Sequence, residues 1–548
     1  MIMSRATLRD RLVSRFLKLP GEPGPFGVDR GVRIPLSDGV VLAAHHYRPA
    51  GSPVGTILVR GPYGLGFPFA ELYARPYAAR GYHVLFVSCR GTAGSGGDFD
   101  PMRTEKADGR EVVAWLVAQP WFTGTFATIG PSYLGYTQWA LLDDPPAELA
   151  AAVITVGPHD FARHAWGNGA MNLDLVGWSD MMNRQPHTDE QPGLLRGQLG
   201  QILSGPARKR ALQSVFTDLP LADAGERHYA GGARWFRDRV TRPDIDGDPY
   251  WAPMRHVPAL DAVRIPILLH SGWQDLFLAQ TYDQYRHLRE RGLDVALTVG
   301  PWTHQEVIGK AAPILIPEAL DWLAAKLNKQ TLARRTPVRL QVTGTSEWRE
   351  LAAWPPPTTD LALHPAPGGG LGASAKAGEA GFTFDPADPT PAVGGPLLDN
   401  GGVVDDGALA ARADVLAFTG EALPAAIEVH GTPVIELAHH TDNPHADLFV
   451  RVSEVDANGR SHNVTEGYRR LDPARDQDEP VRLTLLPVAH RFAAGSRIRL
   501  LIAGGCYPQF TRNLGTDENP GTGTKLVPSR HRITLGPSRL LLPIGETV

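Results

Sequence analysis

The chain has 548 residues, with 54 Lys and Arg against 58 Asp and Glu, which gives a formal net charge of −4. Hydrophobic residues make up 43% and charged residues 20%, close to globular averages, and this excludes a largely disordered chain. The near-neutral balance argues against a generic nucleic-acid-binding protein, whose binding domain would be strongly basic. At about 150 residues per domain, the length allows roughly two to four domains.

The N-terminal segment and the cysteines bear on location and on metal binding. Only two cysteines occur, Cys89 and Cys506, so neither a disulfide framework nor a cysteine-based zinc site is expected. Charged residues interrupt the N-terminal segment, and no stretch approaches ~20 apolar residues, so we expect neither a secretory leader nor a membrane span. Leu8, Leu12 and Phe16 recur at helical spacing, which predicts a short helix docked on its own domain, with binding to a membrane surface as the alternative. We expect a cytoplasmic protein with no cofactor and no bound metal.

The first 158 residues alternate between apolar strands and helices. A strand pair is predicted over 32–47, with turn residues at 37–39. Short continuous apolar runs alternating with helices are typical of a parallel sheet covered on both faces, so this part is predicted to be the first half of an α/β core. Further strands are predicted at 56–59, 82–88, 126–130 and 151–156, and helices at 71–80, at 104–119 and from residue 133 onward.

The alternation stops at 159–250, which we interpret as a helical cap that includes a helix over 193–216. It resumes over 251–335, the second half of the core. From 336 to 548 the chain has short alternating runs and many Gly and Pro turns, which predicts an antiparallel sandwich domain. The second half of the core has strands at 265–270 and 295–299 and helices at 281–291 and 313–328, and the sandwich has strands at 338–342, 447–455, 481–486 and 498–502.

A serine lies between a predicted strand and a predicted helix, in the sequence Gly-Pro-Ser-Tyr-Leu-Gly at 130–135. Ser132 therefore occupies a tight turn, which lifts the hydroxyl above the carboxyl edge of the sheet and points the next backbone N–H towards a developing oxyanion. The second glycine comes one position later than in the G-x-S-x-G pattern. On these residues alone, an ordinary turn with a capping serine is the other interpretation.

Two further residues follow later strands of the same predicted sheet. Asp275 comes after the strand at 265–270, and His304 comes after the strand at 295–299. Because the carboxyl ends of parallel strands meet at one edge of a sheet, we expect these side chains to converge with Ser132. A serine hydroxyl needs a base to become a nucleophile, and the base needs an orienting carboxylate. The chain order Ser, Asp, His is that of an α/β hydrolase.

Aromatic residues near this edge are further candidates. The loop Arg-Gly-Pro-Tyr-Gly at 60–64 follows the first core strand, and in many α/β hydrolases this loop supplies an oxyanion donor. Tyr63 offers a phenolic hydroxyl there, although a tyrosine simply packed in the turn fits these residues as well. In the cap, Trp166 and Trp178 could line a substrate pocket or anchor the cap to the core.

These motifs together resemble the superfamily of serine hydrolases that comprises cocaine esterases and X-prolyl dipeptidyl-peptidases. The late glycine at 135 fits the G-x-S-Y-x-G form of this family. The resemblance spans nearly the whole chain, since 385–391 and 412–416 are similar to the start of the family's C-terminal jelly roll. Besides the segments at 60–64 and 130–135, it is carried by Arg90-Gly91 with Ser95-Gly96-Gly97, Gln119-Pro120-Trp121, Gly272-Trp273-Gln274-Asp275 and Gly300-Pro301-Trp302-Thr303-His304.

The resemblance implies an α/β-hydrolase core with an inserted helical cap and a C-terminal jelly-roll domain. It implies that Ser132 is the nucleophile, His304 the general base and acid, and Asp275 the residue that orients the histidine. It also implies an oxyanion hole built from the Tyr63 hydroxyl and the Tyr133 backbone N–H.

Two departures from the family pattern are informative. Cys89 stands where the family often has aspartate, which puts a local structural contact in doubt. Leu276 and Phe277 stand where relatives that hydrolyse α-amino acid esters place carboxylates for a substrate ammonium. An apolar wall there favours an uncharged or aromatic acyl group, with Phe277, Trp166 and Trp178 as candidate substrate contacts.

We therefore expect a serine hydrolase that cleaves carboxylic esters of a bulky or aromatic acyl group through an acyl-enzyme. An X-prolyl dipeptidyl-peptidase or an amidase on the same triad is the first alternative. A non-catalytic protein that binds carbohydrate or polymer is the alternative from another class. The expected partner is a small-molecule ester or amide, no nucleic acid and no membrane span are expected, and a homo-oligomer stays open.

Overall fold

Two β-sheets organise the computed structural model, which describes residues 7–185, 210–473 and 480–545. The first sheet has ten strands, in the order β1-β2-β4-β3-β5-β6-β7-β8-β9-β10. Their bounds are β1 Phe26–Pro35, β2 Val41–Pro49, β3 Gly55–Gly61, β4 Tyr82–Ser88, β5 Phe126–Pro131, β6 Leu149–Thr155, β7 Ile267–Gln274, β8 Val295–Thr303, β9 Val338–Gln341 and β10 Trp348–Leu351.

The centre of this sheet is parallel, from β4 through β3 and β5 to β9. Strands β3, β4, β5 and β7 are buried along their whole length because helices cover both faces, which explains their continuous apolar sequences. The predicted α/β-hydrolase core and the predicted β1–β2 hairpin are confirmed. The core helices are Phe69–Tyr73, Arg75–Ala78, Glu105–Val117, Tyr133–Leu142, Ala259–Ala262, Leu278–Glu290, His304–Ile308 and Ala312–Asn328.

The cap lies between β6 and β7. Its described part contains helices and no named strand, as the sequence predicts. Of the helix predicted over 193–216, residues 193–209 lie outside the described residues. The cap helices are Phe161–Trp166, Asp174–Asn183, Leu221–Tyr229 and Trp235–Thr241, with a 3₁₀ helix at Pro249–Met254.

The C-terminal part is a two-layer β-sandwich of twelve strands, in agreement with the predicted jelly-roll type. Strand β11 pairs with β22 in one layer and with β12 in the other, and apolar side chains from both layers fill the space between them. The bounds are β11 Thr358–Ala366, β12 Gly370–Gly372, β13 Glu379–Phe384, β14 Val415–Gly420, β15 Ile427–Gly431, β16 Val434–Thr441, β17 Asp447–Val455, β18 Ser461–Arg470, β19 Val481–Thr484, β20 Val488–Phe492, β21 Arg497–Ala503 and β22 Ser529–Gly545, with a short helix at Gly407–Ala410.

The prediction that 338–342 belongs to the sandwich is wrong. Strand β9 pairs in parallel with β8 of the first sheet, and β10 pairs with β9. The helix Ala312–Asn328 and β9 follow β8 as one strand–helix–strand unit, so the chain returns to the sheet it has just left. Alternating apolar residues identify a strand but not the sheet that it joins. The sandwich starts with β11.

The N-terminal helix Leu8–Phe16 docks on the core through its polar side. Asp10 is buried and forms an ion pair with Arg75 (2.6 Å), whereas Leu8, Leu12 and Phe16 are 73%, 59% and 60% exposed. The helix is therefore docked as predicted, but its apolar stripe faces away from the core. In the ranges given above, the structure contains no helix that combines the length and the apolar character needed to cross a membrane.

A matched pair of leucine substitutions tests this orientation. Leu17, directly after the helix, is fully buried, and Leu12 is mostly exposed. We expect Leu17→Ala to lower the free energy of unfolding by about 2–5 kcal/mol because it leaves a cavity. We expect Leu12→Ala to change it by less than about 0.5 kcal/mol. Urea unfolding followed by circular dichroism measures both, and the reverse ranking would show that the apolar stripe is packed inward.

Candidate active site

Ser132 lies in a strained turn between β5 and the helix Tyr133–Leu142. Its backbone has φ 58° and ψ −120°, a conformation that residues other than glycine rarely adopt. The Ser132 N–H donates to the carbonyl of Thr155 on β6 (2.9 Å), which holds the turn against the sheet. Gly130 has φ 149°, and a Cβ there would lie 2.4 Å from Cβ of Leu134. The turn therefore needs this glycine to bring the helix over the strand.

The second glycine of the motif is late for a packing reason. A Cβ on Gly135 would lie 2.7 Å from Cα of Gly157, in the loop that follows β6. This distance is too short for any side chain, so the first turn of the helix and that loop make backbone contact. The glycine at 135 is thus required by helix packing.

The structure brings Ser132, His304 and Asp275 into one hydrogen-bonded chain. His304 Nδ1 lies 2.6 Å from Asp275 Oδ2, and His304 Nε2 lies 3.0 Å from Ser132 Oγ. Asp275 follows β7 and His304 follows β8, as the sequence predicts. The second carboxylate oxygen of Asp275 accepts the backbone N–H of Phe277 (2.7 Å). With all three side chains buried, the arrangement favours transfer of a proton from the serine hydroxyl to the imidazole.

Tyr63 faces the same point from the loop after β3. Burial raises the pKa of Tyr63, and hydrogen bonds with Trp178, Ser132 and the Tyr133 backbone N–H offset part of that rise. The phenol therefore stays protonated at neutral pH, and its oxygen accepts a hydrogen bond from Trp178 Nε1 (3.1 Å). The phenol thus lies beside both Ser132 and the Tyr133 N–H, where the predicted oxyanion hole requires it.

A buried polar network supports the turn from below. The Tyr133 hydroxyl donates to Glu105 (2.7 Å), and Glu105 is paired with Arg60 (2.9 Å). Cys89 contributes its thiol to the same carboxylate (3.4 Å). Burial, together with the charge of Glu105, raises the pKa of that thiol well above its usual value, so it is neutral. The family departure at Cys89 thus leaves a hydrogen-bonded contact in place.

A small apolar cavity of about 50 Å³ opens beside Ser132 and His304. Of the predicted substrate contacts, Trp178 and Phe277 line it. Trp166 is not among the lining residues: it is buried, and its indole N–H donates to the Arg239 carbonyl (2.8 Å). The prediction of Trp166 as a substrate contact is therefore wrong for this cavity, and the hydrogen bond of its indole is to another cap residue. The apolar wall also includes Leu276, Met171, Leu175 and Leu398.

A larger cavity of about 450 Å³ lies where the core, the cap and the sandwich meet. It shares His164, Asn172 and Leu276 with the small cavity, so the two adjoin. Charged residues such as Arg163 and Asp283 contribute to its wall. Burial lowers the pKa of His164 to about 3, so the imidazole at the boundary is neutral.

Three contributors to the site escaped sequence analysis. Glu105 holds the Tyr133 hydroxyl, Asp174 presents a carboxyl to the small cavity, and Leu398 reaches the same cavity from the sandwich domain. Glu105 begins a predicted helix, where an acidic residue is ordinary. Leu398 lies in a loop with no strand or helix pattern. Only their placement in space distinguishes these residues from neighbours of the same type.

The α/β core and the C-terminal sandwich both match family models of X-Pro dipeptidyl-peptidases. Residues 38–306 match the family model of X-Pro dipeptidyl-peptidase (S15 family), and residues 331–540 match that of the X-Pro dipeptidyl-peptidase C-terminal non-catalytic domain. The chain is similar to cocaine esterase of Rhodococcus sp. (strain MB1 Bresler), with 29% identity in an alignment 580 positions long, gaps included, that covers 95% of this chain and 99% of that protein.

Two solved structures have the same fold along their whole length. An α-amino acid ester hydrolase superposes with a TM-score of 0.78 at 21% identity, covering 95% of this chain and 97% of that one. An aminopeptidase from a marine sediment archaeon, Thaumarchaeota archaeon, gives a TM-score of 0.77 at 20% identity, covering 95% and 96%. With two family matches that follow one another along the chain, this protein belongs to the superfamily of serine hydrolases that contains cocaine esterase and the X-prolyl dipeptidyl-peptidases.

Proposed function

We propose that the protein is a carboxylic ester hydrolase that acts through an acyl-enzyme on Ser132. The observation that carries this proposal is the hydrogen-bonded chain from Asp275 through His304 to Ser132. His304 Nε2 takes the proton of the serine hydroxyl as Oγ attacks the ester carbonyl. The developing oxyanion then accepts hydrogen bonds from the Tyr63 hydroxyl and the Tyr133 N–H.

The second half of the reaction reverses these proton movements. His304 gives its proton to the leaving alkoxide, and the acyl group stays on Ser132. A water molecule then attacks the acyl-enzyme while His304 accepts its proton. The bond from the acyl carbon to Ser132 Oγ breaks, His304 returns the proton to Oγ, and the carboxylic acid is released. Asp275 accepts a hydrogen bond from His304 Nδ1 and holds the imidazole in the required tautomer. We assign no step to a cofactor.

The two adjoining cavities suggest how an ester is placed. The cavity beside Ser132 has a wall of apolar and aromatic side chains, which favours an uncharged or aromatic acyl group. The larger cavity has polar and charged groups in its wall and suits the alcohol. Leu276 lines both and marks where the two cavities adjoin.

A dipeptidyl-peptidase needs a different acyl site. It must bind the ammonium of a peptide N-terminus, whose three N–H donors all need partners. Among the described residues that line the small cavity, Asp174 is the one acidic residue. A single carboxyl is a poor match for an ammonium group. This favours the ester over the X-prolyl peptide. A non-catalytic binding role would leave the strained Ser132 backbone without a purpose.

The nucleophile can be tested with a matched pair of serine substitutions. We expect Ser132→Ala to lower kcat for p-nitrophenyl esters by on the order of 10⁴–10⁶, because triad members act as a unit. Ser374→Ala, at an exposed position in the sandwich, should leave kcat unchanged. Labelling by a fluorophosphonate, mapped by mass spectrometry, should appear on Ser132 alone. Ester turnover by Ser132→Ala close to that of the wild type would refute the assignment.

The oxyanion tyrosine and its cap partner can be tested in a double-mutant cycle. Tyr63→Phe removes one oxyanion donor and should lower kcat by on the order of 10²–10³. Trp178→Phe removes the hydrogen bond to the phenol and should lower kcat roughly threefold to tenfold. In the Tyr63→Phe background the second substitution should have no further effect on kcat, because its target is gone. Additive losses would mean that Trp178 acts independently of Tyr63.

A substrate panel separates the ester from the peptide. Wild-type protein is assayed on p-nitrophenyl benzoate, p-nitrophenyl butyrate and Ala-Pro-p-nitroanilide. We expect kcat/KM for the dipeptide to be lower than for the benzoate by at least about a hundredfold, or about 2.7 kcal/mol, because its ammonium would be buried with unpaired N–H groups. Efficient release of nitroaniline from Ala-Pro-p-nitroanilide would instead establish the peptidase.

A further inference from the structure

Asp174 lines the small cavity beside Ser132 and has a hydrogen-bond acceptor that no described residue uses. It is the first residue of the cap helix Asp174–Asn183. Its Oδ1 accepts the backbone N–H of Leu398 from the sandwich domain (3.0 Å), and its own N–H donates to Asn172 Oδ1 (3.0 Å). Its Oδ2 is enclosed and has no partner among the residues that the structure describes. Among the described residues that line this cavity, no other enclosed side-chain polar atom lacks a hydrogen-bond partner.

An enclosed carboxyl oxygen without a donor is unfavourable, since burial removes its water and no described residue replaces that hydrogen bond. Burial raises the pKa of Asp174 to about 7, and the N–H of Leu398 offsets only part of this effect. An apolar residue would fill the position at lower cost to stability if packing were its only purpose. The unpaired oxygen is therefore explained by a donor that arrives with the ligand.

The surroundings of Asp174 decide what kind of donor fits. Met171, Leu175, Phe277 and Leu398 leave the space around it apolar. An ammonium would bring three N–H donors to one free acceptor and would bury the others unpaired, whereas a hydroxyl brings a single donor. The single free acceptor in this apolar cavity is thus satisfied by the single donor of one hydroxyl group.

The position of the cavity decides which part of the substrate carries that hydroxyl. Asp174 lines the small cavity, which holds the acyl group in the proposed function, and is absent from the described wall of the larger one. We propose that Asp174 Oδ2 accepts a hydrogen bond from a hydroxyl group on the acyl part of the ester, so that the enzyme selects hydroxylated acyl groups. This inference rests on the proposed function, because it takes Ser132 as the acyl acceptor.

The test compares p-nitrophenyl esters of 2-, 3- and 4-hydroxybenzoate with the matching methoxybenzoates, which have similar electronic effects but no donor. For the wild type we expect kcat/KM to favour the hydroxy ester by on the order of tenfold to a hundredfold at one ring position, after division by the ratio of the uncatalysed rates. Asp174→Ala should bring this corrected ratio to about one. Asp174→Asn, which retains an acceptor for Leu398, should reduce it. Both kcat/KM values in the ratio are measured on the same variant, so a smaller fraction of folded protein lowers both equally and leaves the ratio unchanged.

Asp218→Ala, which changes an exposed carboxylate of the cap, is the matched control and should keep the wild-type ratio. A wild type that shows no corrected preference at any ring position would overturn the inference while leaving the esterase in place. So would a preference for p-nitrophenyl 4-(aminomethyl)benzoate over both neutral esters, since that would assign Asp174 to an ammonium. If none of the esters were hydrolysed and Ser132 stayed unlabelled by a fluorophosphonate, the proposed function itself would fail.

Discussion

The hydrogen-bonded chain from Asp275 to Ser132 depends on a backbone conformation that an L-residue rarely adopts. Ser132 has a positive φ, and the strain of such a residue costs on the order of 1–3 kcal/mol. The surrounding structure supplies the compensation: β5 is fully buried, and the helix after it is closely packed through Gly130 and Gly135. The serine is held in place by a parallel sheet, and the positions of Asp275 and His304 follow from β7 and β8 of that same sheet.

The parts of the chain meet around this turn, and each contributes something different. The core provides the proposed triad and Tyr63, the cap provides Trp178 and Asp174, and the sandwich provides Leu398. The hydrogen bond from Trp178 to the Tyr63 phenol connects the cap to the proposed oxyanion hole. The hydrogen bond between Asp174 and Leu398 connects the cap to the sandwich on the other side of the cavity. Displacement of the cap would therefore disturb both the proposed oxyanion site and the acyl site.

Sequence patterns predict features that lie next to a strand in the chain. Ser132, Asp275 and His304 each follow a strong apolar strand, so their common location could be inferred from the geometry of a parallel sheet. The partner of the Trp178 indole, the free oxygen of Asp174 and the arrival of Leu398 depend on how separate elements pack, and no local pattern carries that information. The exposed stripe of Leu8, Leu12 and Phe16 has the same origin: its helical spacing is visible in the sequence, but the ion pair of Asp10 with Arg75 decides which side faces the core.

The central claim is that Ser132 Oγ attacks a carbonyl whose oxygen then lies between a phenol and a backbone amide. A crystal structure of the protein with phenylboronic acid tests it most directly, because boron forms a tetrahedral adduct with an activated serine. The account predicts a bond from boron to Ser132 Oγ, with one boronate oxygen within hydrogen-bond distance of both the Tyr63 hydroxyl and the Tyr133 N–H. A boronate bound elsewhere, or an adduct whose oxygens both point away from Tyr63, would contradict it.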